Sequence, residues 1–340
     1  MLNYVIIIGV IPNPDTVFSS AAKEAASDVH IAVGHPVTFR KDGVLKVFGK
    51  DKLSASDAEK FIKEVLSADQ FERLNTDREA DVSYSTKEGV RLRINCHFEK
   101  GNMGLSARII PTEIPSLDAI GFTDHMKGLC GLKDGLILFT GPTGSGKSTT
   151  MAAMIRHIDM ERALNIVTLE DPIEFIFPVG KGIIRQRQFG EDFLSFPEAL
   201  RRVLRQDPNI VMVGEMRDYE TVSAALTLAE TGHLILATLH TPNAIQSIDR
   251  IIDAFPAHQQ QQVRSQLSLS LKAVLAQKLL PKEGGGRVAA RESLINTPAV
   301  ANIIRTNRLQ ELPSVLQSSK AEGMCSFEMD EKRLMKEGLV

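Results

Sequence analysis

GLILFTGPTGSGKSTT, residues 135–150, is the stretch of this sequence that decides its fold. An apolar run at 136–139 predicts a buried strand, a glycine-rich turn follows it, and the residues after the turn predict a helix. The turn fits the pattern GxxxxGKS/T in the strand, turn and helix context of a phosphate-binding loop. Glycines let backbone N–H groups converge on phosphate oxygens, and the helix N-terminus adds its dipole. The helix is expected to present one apolar face made of Met151, Met154, Ile155 and Ile158.

The loop supplies the candidate nucleotide-binding residues. Lys147 is expected to reach the β- and γ-phosphates, and the hydroxyl of Ser148 to ligate Mg²⁺. No NKxD-like segment of the kind used to recognise guanine occurs in the sequence, so ATP is the expected nucleotide. A chance glycine-rich turn is disfavoured by the strand and helix that flank it. The predicted set is Gly141, Pro142, Thr143, Gly144, Ser145, Gly146, Lys147, Ser148 and Thr149.

The pattern on either side of this motif divides the chain. Residues 121–283 alternate apolar strands with helices, which is typical of an α/β fold with a wound, mostly parallel sheet. Residues 1–112 mix helices with hairpins, one predicted at Asp42-Gly43 and one at Gly89, and indicate a small α+β domain. Two prolines in PTEIPSLDAIG predict a linker at 113–120. After the glycine run 284–286 we expect a helical C-terminal subdomain, 284–340.

Composition narrows the class of protein. The formal net charge is −2 and like charges do not cluster, so no broad footprint for nucleic acid is expected. The three cysteines are widely separated, which argues against zinc and disulfides and favours the cytoplasm. The apolar amino-terminal run LNYVIIIGVIP, residues 2–12, is too short to span a bilayer and is interpreted as an extra strand or an interface segment.

Carboxylates follow the next two predicted strands. NIVTLEDPIEF contains Glu170, Asp171 and Glu174, while PNIVMVGEMRD places Glu215 after four apolar residues and a glycine. Ligands of wound α/β sheets gather at the carboxyl ends of the strands, so these acids should meet the phosphate loop. There a carboxylate could hold Mg²⁺ or orient the attacking water. The competing interpretation of each acid is a solvated carboxylate beside a buried strand.

Two histidines, His233 and His240, bracket a third apolar run in TGHLILATLHT, residues 231–241. The run LILATL predicts a buried strand. Residues seven apart in a strand point to opposite faces, so one metal ion could not easily hold both imidazoles.

GPTGSGKSTT, LEDPIEF, RQDPNIVMVGEMRD and TGHLILATLHT, in this order and spacing, resemble the Walker A, Asp box, atypical Walker B and His box of the type II/type IV secretion ATPases. Within that superfamily the chain is most similar to the retraction ATPases of type IV pili, and the similarity extends over nearly the whole chain from about residue 18. It implies a homo-hexamer of subunits with a PAS-like first domain and a RecA-like second domain. Such a ring hydrolyses ATP and acts on an inner-membrane platform protein to retract the pilus.

The resemblance also implies roles for single residues. Glu215 would be the catalytic Walker B glutamate and a ligand of the nucleotide-bound Mg²⁺, Glu174 would assist at the γ-phosphate, and His240 would lie near it. Arginines of the first domain would act across the subunit interface, with a solvated strand face as the competing interpretation. The supporting set is Glu170, Asp171, His233 and Arg250, and the interface arginines are Arg93 and Arg108, with Arg91 a weaker candidate.

Departures from the retraction pattern keep other functions open. The family's AIRNLIRE motif corresponds here to AVANIIRT, where Ala301 and Thr306 replace charged residues while Asn302 and Arg305 persist. An accessory retraction paralogue or a type II/IV secretion ATPase is therefore an alternative. A nucleic-acid translocase is a distant one, because such proteins use basic loops with stacking aromatics and this chain has no Trp and three Tyr.

Overall fold

The computed structural model describes residues 13–41, 43–110 and 113–340. The chain forms two compact units, Met1–Thr112 and Glu113–Val340. The predicted strand or interface segment at 2–12 lies outside the described residues, as does Asp42 of the first predicted turn.

The first unit is built on a six-stranded antiparallel sheet of order β3-β2-β1-β6-β5-β4. Its helices cover one face, where Phe18, Phe61 and Ile62 are buried against strand residues such as Ile94. The hairpin predicted at Gly89 is confirmed by the pairing of β4 with β5. The elements are α1 Pro14–Lys23, β1 Asp28–Ile31, β2 Thr38–Lys41, β3 Val44–Val47, α2 Ala55–Val65, α3 Ala68–Asp77, β4 Glu79–Ser85, β5 Arg91–Glu99 and β6 Asn102–Ile110.

The second unit is an α/β domain around a seven-stranded sheet of order β13-β12-β7-β11-β10-β8-β9. Every neighbouring pair is parallel except β12 with β13. Its strands are β7 Gly135–Thr140, β8 Asn165–Glu170, β9 Ile183–Gln188, β10 Ile210–Val213, β11 Leu234–Leu239, β12 Leu271–Pro281 and β13 Arg287–Ile295. Its helices are α4 Asp124–Gly128, α5 Lys147–Glu161, α6 Phe196–Val203, α7 Tyr219–Glu230, α8 Ala244–Asp253, α9 Ala257–Ser270, α10 Pro298–Arg305, α11 Leu312–Ser318 and α12 Phe327–Lys336.

Helices cover both faces of this sheet, which explains why its central strands are mainly apolar on both faces. Leu136 and Leu138 of β7 belong to one hydrophobic cluster, whereas Ile137 and Phe139 belong to the cluster on the other face. A parallel strand buried on both faces reads as a continuous apolar run. The predicted apolar face of α5 packs into the second cluster through Met151, Met154, Ile155 and Ile158.

The structure corrects the expected C-terminal subdomain. Residues 284–286 turn the chain into β13, which pairs antiparallel with β12 from Pro281↔Arg287 to Ala273↔Ile295. Residues 287–295 therefore extend the sheet, and the helical tail begins only at α10, which Thr297 caps. The sequence pattern did not predict this strand, because RVAARESLI places charged side chains in its buried part.

The expected linker at 113–120 also differs from the prediction. Its residues belong to the second unit, where Leu117 is buried and Ile114 and Ile120 pack against the same cluster as α5. Prolines favour irregular backbone, but they do not show whether that backbone is packed or free.

Candidate nucleotide-binding site

The phosphate loop, residues 141–146, connects the end of β7 to the first residue of α5. Gly141 has φ +139° and approaches β12 so closely that a Cβ atom there would lie 2.2 Å from the carbonyl oxygen of Gln277. Gly146 caps α5 with φ +87° in the left-handed region. Both positions therefore require glycine. The first turn of α5 follows directly, so its free N–H groups and dipole lie at the loop.

Lys147 is buried inside this loop and holds its backbone. Its Nζ donates to the carbonyl oxygens of Gly141, at 2.8 Å, and Pro142, at 3.1 Å. Burial lowers the pKa of Lys147, and the carboxylates of Glu215 and Glu174 act in the opposite direction. The two acids that were expected to be catalytic are thus electrostatically coupled to the loop lysine.

Glu215 lies just beyond the carboxyl end of β10, with a basic side chain on each carboxylate oxygen. Its Oε1 is 3.1 Å from Nε2 of His240, which directly follows β11, and its Oε2 is 2.7 Å from a terminal nitrogen of Arg217. Burial raises the pKa of Glu215, but the hydrogen bond from Arg217 and the electrostatic attraction of His240 and Arg217 outweigh it and hold the pKa below its usual value. The sequence analysis did not single out Arg217.

Backbone contacts fix the segment that carries Glu215. The Gly214 N–H donates to the carbonyl oxygen of Leu169, at 2.7 Å, and a Cβ atom on Gly214 would lie 3.0 Å from that oxygen. The hydroxyl of Thr238 on β11 donates to the Gly214 carbonyl, and the Met216 N–H donates to the Thr238 carbonyl at 3.2 Å. The turn after β10 is therefore tied to both neighbouring strands.

The acids after β8 have different environments. Glu170 is buried and accepts hydrogen bonds from the Thr168 hydroxyl, at 2.6 Å, from the Gln186 amide, at 3.1 Å, and from the backbone of Glu174. Burial raises the pKa of Glu170. Asp171 and Glu174 are exposed. Glu170 thus anchors the segment that presents Glu174.

The two histidines lie at opposite ends of β11. Because Leu234 pairs with Gly135 and Leu239 with Thr140, His240 lies at the phosphate-loop edge of the sheet and His233 at the other edge. The strand between them is roughly 20 Å long at about 3.3 Å per residue. Nδ1 of His233 is 3.1 Å from the carbonyl oxygen of Leu228, so its imidazole braces the turn between α7 and β11. Within one chain, only His240 reaches the site.

The predicted arginines are placed on exposed surfaces. Arg250 is exposed on α8. In the first unit Arg93 and Arg108 are direct cross-strand partners on β5 and β6, while Arg91, two residues before Arg93 and only partly exposed, pairs with Ile110. Nε of Arg108 is 2.9 Å from Oδ1 of Asp28, although its side chain remains 74% exposed.

One contact to the phosphate loop comes from a residue that the sequence analysis did not identify. The buried amide of Gln277, on β12, donates to the Ser145 carbonyl oxygen at 2.6 Å and accepts from the Thr150 hydroxyl at 2.9 Å. The only signal in the sequence is a polar residue inside the apolar run AVLAQKLL.

A phosphate loop on a parallel sheet, with carboxylates at the ends of the adjacent strands, defines the class of P-loop nucleotide hydrolases. The family described as type II/IV secretion system protein matches residues 6–319, and the chain belongs to this family.

Comparison with individual relatives is consistent with this assignment. The chain is 41% identical to the type IV pilus retraction ATPase PilT of Pseudomonas aeruginosa over 320 residues, which cover 94% of this chain and 93% of PilT. It is 37% identical to the type IV pilus ATPase PilU of the same organism over 93% of this chain and 83% of PilU. A crystal structure of the pilus retraction motor PilT with bound ADP matches with a TM-score of 0.90 and 42% identity, covering 97% of this chain and 95% of that one.

The chain is therefore an ATPase that resembles PilT, with a RecA-like domain preceded by a smaller amino-terminal domain. Across the residues that the structure describes, no helix has the length and apolar character needed to cross a membrane.

Proposed function

We propose that this chain is the subunit of a homo-hexameric motor that hydrolyses ATP to power type IV pilus retraction. The motor would act from the cytoplasm through a platform protein of the inner membrane, and no nucleic-acid partner is expected. The observation that carries the proposal is the arrangement of Glu215, His240 and Arg217 beside a phosphate loop. The similarity to PilT supports it over both structural units.

The residues of the site fit ATP hydrolysis. Lys147 would bind the β- and γ-phosphates, and Glu215 would orient the attacking water because its lowered pKa keeps the carboxylate ionised. His240 would report the position of the γ-phosphate through its contact with Glu215. Glu174 would assist at the γ-phosphate from the segment that Glu170 anchors. Positioning and electrostatic stabilisation provide most of the catalysis in phosphoryl transfer, and these side chains supply both.

Magnesium fits the same residues. The Ser148 hydroxyl and an ionised Glu215 carboxylate are the hard oxygen ligands that Mg²⁺ prefers, together with phosphate oxygens. When bound, Mg²⁺ would neutralise negative charge on the phosphates.

The proposed interface arginines explain why the motor would need a ring. Arg93 and Arg108 are exposed on the first unit, and from there they could approach the γ-phosphate of a neighbouring subunit. A positive charge supplied in this way raises phosphoryl-transfer rates by roughly 10³- to 10⁵-fold. Arg250 on α8 is proposed as a supporting residue of the second unit.

A specific observation favours the alternative of an accessory retraction paralogue or a secretion ATPase. In α10 the apolar face of Val300, Ile303 and Ile304 is buried. Ala301 and Thr306 nevertheless leave that helix without two charged groups of the retraction motif. Contact with a platform protein would then differ, and the similarity to PilU is in keeping with this possibility.

The test is the ATPase rate as a function of protein concentration, with sedimentation on the same samples and Glu215→Gln as the control. We expect specific activity to rise as hexamers form and to vanish in Glu215→Gln, which should still bind nucleotide because its phosphate loop is intact. Full activity in a monomer would contradict the ring. Restored twitching in a retraction-deficient host by the active chain, but not by Glu215→Gln, would favour retraction over the alternatives.

A further inference from the structure

Gln277, on β12, connects the phosphate loop to the helix α5 that follows it. Its side chain is 1% exposed, its Nε2 donates to the Ser145 carbonyl, and its Oε1 accepts from Thr150 in the first turn of α5. Its own carbonyl oxygen lies against Gly141, where a Cβ atom would be 2.2 Å away. A single residue of β12 therefore contacts the start of the loop, the end of the loop and the helix that follows.

We propose that Gln277 is a positioning residue of the ATPase site, which fixes the peptide between Ser145 and Gly146 so that the loop presents its N–H groups to phosphate. In a trans peptide the C=O and N–H bonds point in opposite directions. Holding the Ser145 oxygen toward β12 therefore directs the Gly146 N–H away from β12, to the concave side of the loop, where consecutive N–H groups bind anions.

The hydrogen bonds of Gln277 oppose rotation of the peptide between Ser145 and Gly146. Both polar atoms of the buried amide are used, and rotation would leave the Ser145 carbonyl or the Thr150 hydroxyl without its partner. A buried polar group that loses its hydrogen-bond partner is strongly destabilising. The Ser145 carbonyl can only accept, so it fixes Nε2 toward the loop, and Oε1 is left to accept from the Thr150 hydroxyl, which holds the amide in this orientation. The bridge thus preorganises the loop before nucleotide arrives.

The inference rests on nucleotide binding at this loop, and the experiment measures that binding separately from turnover. Gln277→Met keeps the length of the side chain and removes both hydrogen bonds. Thr150→Val removes only the hydroxyl that donates to Oε1 of the amide, whereas Thr150→Ser keeps it. Asn296→Leu is the matched control, because its amide also satisfies two backbone carbonyls, of Ser268 and Leu271, at the amino end of the same strand.

Binding of fluorescent ADP and ATP, kcat, KM and Tm would be measured for each variant beside wild type. We expect Gln277→Met to raise the nucleotide Kd at least tenfold, which corresponds to about 1.4 kcal/mol, and to lower kcat/KM by more. Thr150→Val should raise the Kd by a smaller factor and Thr150→Ser should restore it. Asn296→Leu should lower Tm with an unchanged Kd.

Three results would overturn the positioning role. One is a Gln277→Met protein that binds nucleotide as wild type does. Another is an Asn296→Leu protein whose Kd rises as much, because the effect would then be a general loosening of the sheet. If Gln277→Met does not fold, the Thr150 pair decides, and equal Kd values for Thr150→Val and Thr150→Ser would reject the proposal. Wild type without nucleotide affinity would instead reject the site itself.

Discussion

At the scale of single residues, the carboxylate of Glu215 is the chemical centre of the proposed mechanism, and its partners keep it ionised. A buried carboxylate beside phosphate would ordinarily take up a proton more readily, because burial penalises the charged form. Arg217 and His240 reverse that tendency. The side chain therefore suits the orientation of water and metal better than the storage of a proton.

Arg217→Gln should shift the low-pH fall of kcat to a higher pH. Because the pKa of Glu215 is held below its usual value, wild-type Glu215 loses its charge only when the pH falls through that lowered pKa. Without the Arg217 hydrogen bond the pKa rises, so kcat should begin to fall at a higher pH than in wild type. The pH dependence of ATP turnover measures this shift.

Arg202→Gln serves as the control for that profile, since its exposed guanidinium pairs with Glu198 on α6. The kcat of Arg202→Gln should fall at the same low pH as that of wild type. If the kcat of Arg217→Gln also fell at the wild-type pH, Arg217 would not control the charge of Glu215.

At the scale of secondary-structure elements, Glu292 joins two helices to the sheet. It lies in the buried part of β13, and its carboxylate accepts hydrogen bonds from the backbone of Ala244, at 2.9 Å, and of Phe327. These are the first residues of α8 and α12, so one side chain accepts from the first N–H of both helices and adds to the caps that Asn243 and Ser326 provide. Burial raises the pKa of Glu292, and the two backbone N–H groups lower it. Since α8 begins four residues after His240, the hydrogen bond from Ala244 to Glu292 also fixes the segment that follows His240.

Glu292→Ala should lower the free energy of unfolding by at least about 2 kcal/mol, because two backbone N–H groups would lose their acceptor and an unsatisfied buried group costs about 1–3 kcal/mol. Glu292→Gln keeps one acceptor and should cost less. Urea denaturation of both variants measures the difference, and Glu322→Ala, at an exposed position, is the control. Equal stability of Glu292→Ala and wild type would show that the two hydrogen bonds to Glu292 contribute nothing to stability.

Local patterns explain which elements and site residues were predictable. β7 and α5 were predicted because their apolar periodicity and glycine loop are contiguous. β13 was not, because its buried Arg291 and Glu292 break the apolar pattern that marks an internal strand. Gln277 was missed because its partner, Ser145, is 132 residues away, a relation that only the folded sheet creates. Arg217 was missed because a charge beside an acid usually indicates a solvated turn.

At the scale of the whole molecule, the first unit presents a row of charged side chains across its sheet. Arg93 pairs with Arg108, Arg108 with Asp28, and Asp28 with Arg40, so all four side chains project from the same face. Asp28 contacts Arg108 closely and lies 3.9 Å from Arg40. Cross-strand neighbours share a face. This row of three arginines and one aspartate is therefore predominantly cationic, as the proposed contact with phosphates of a neighbouring subunit requires.

Mixing two inactive variants tests whether Arg108 acts between subunits. Arg108→Ala should reduce turnover at least about tenfold, because the γ-phosphate loses a stabilising charge, while nucleotide binding persists. Glu215→Gln should be inactive for an independent reason. In mixed rings, some interfaces combine an intact Arg108 from one subunit with an intact Glu215 from the next, so ATPase activity should recover when the two proteins are combined. The measurement is turnover against mixing ratio at a concentration where sedimentation shows hexamers.

Arg40→Ala is the matched control, since Arg40 lies in the same row and near the same aspartate, at the end remote from Arg93. It should turn over ATP as wild type does. Recovery with a maximum near equal mixing would require Arg108 to serve a neighbouring active site, because neither parent can rescue itself. If subunits exchange and the mixture stays as inactive as its components, Arg108 serves its own subunit or none. The row of arginines would then have to be explained by contacts other than those with nucleotide.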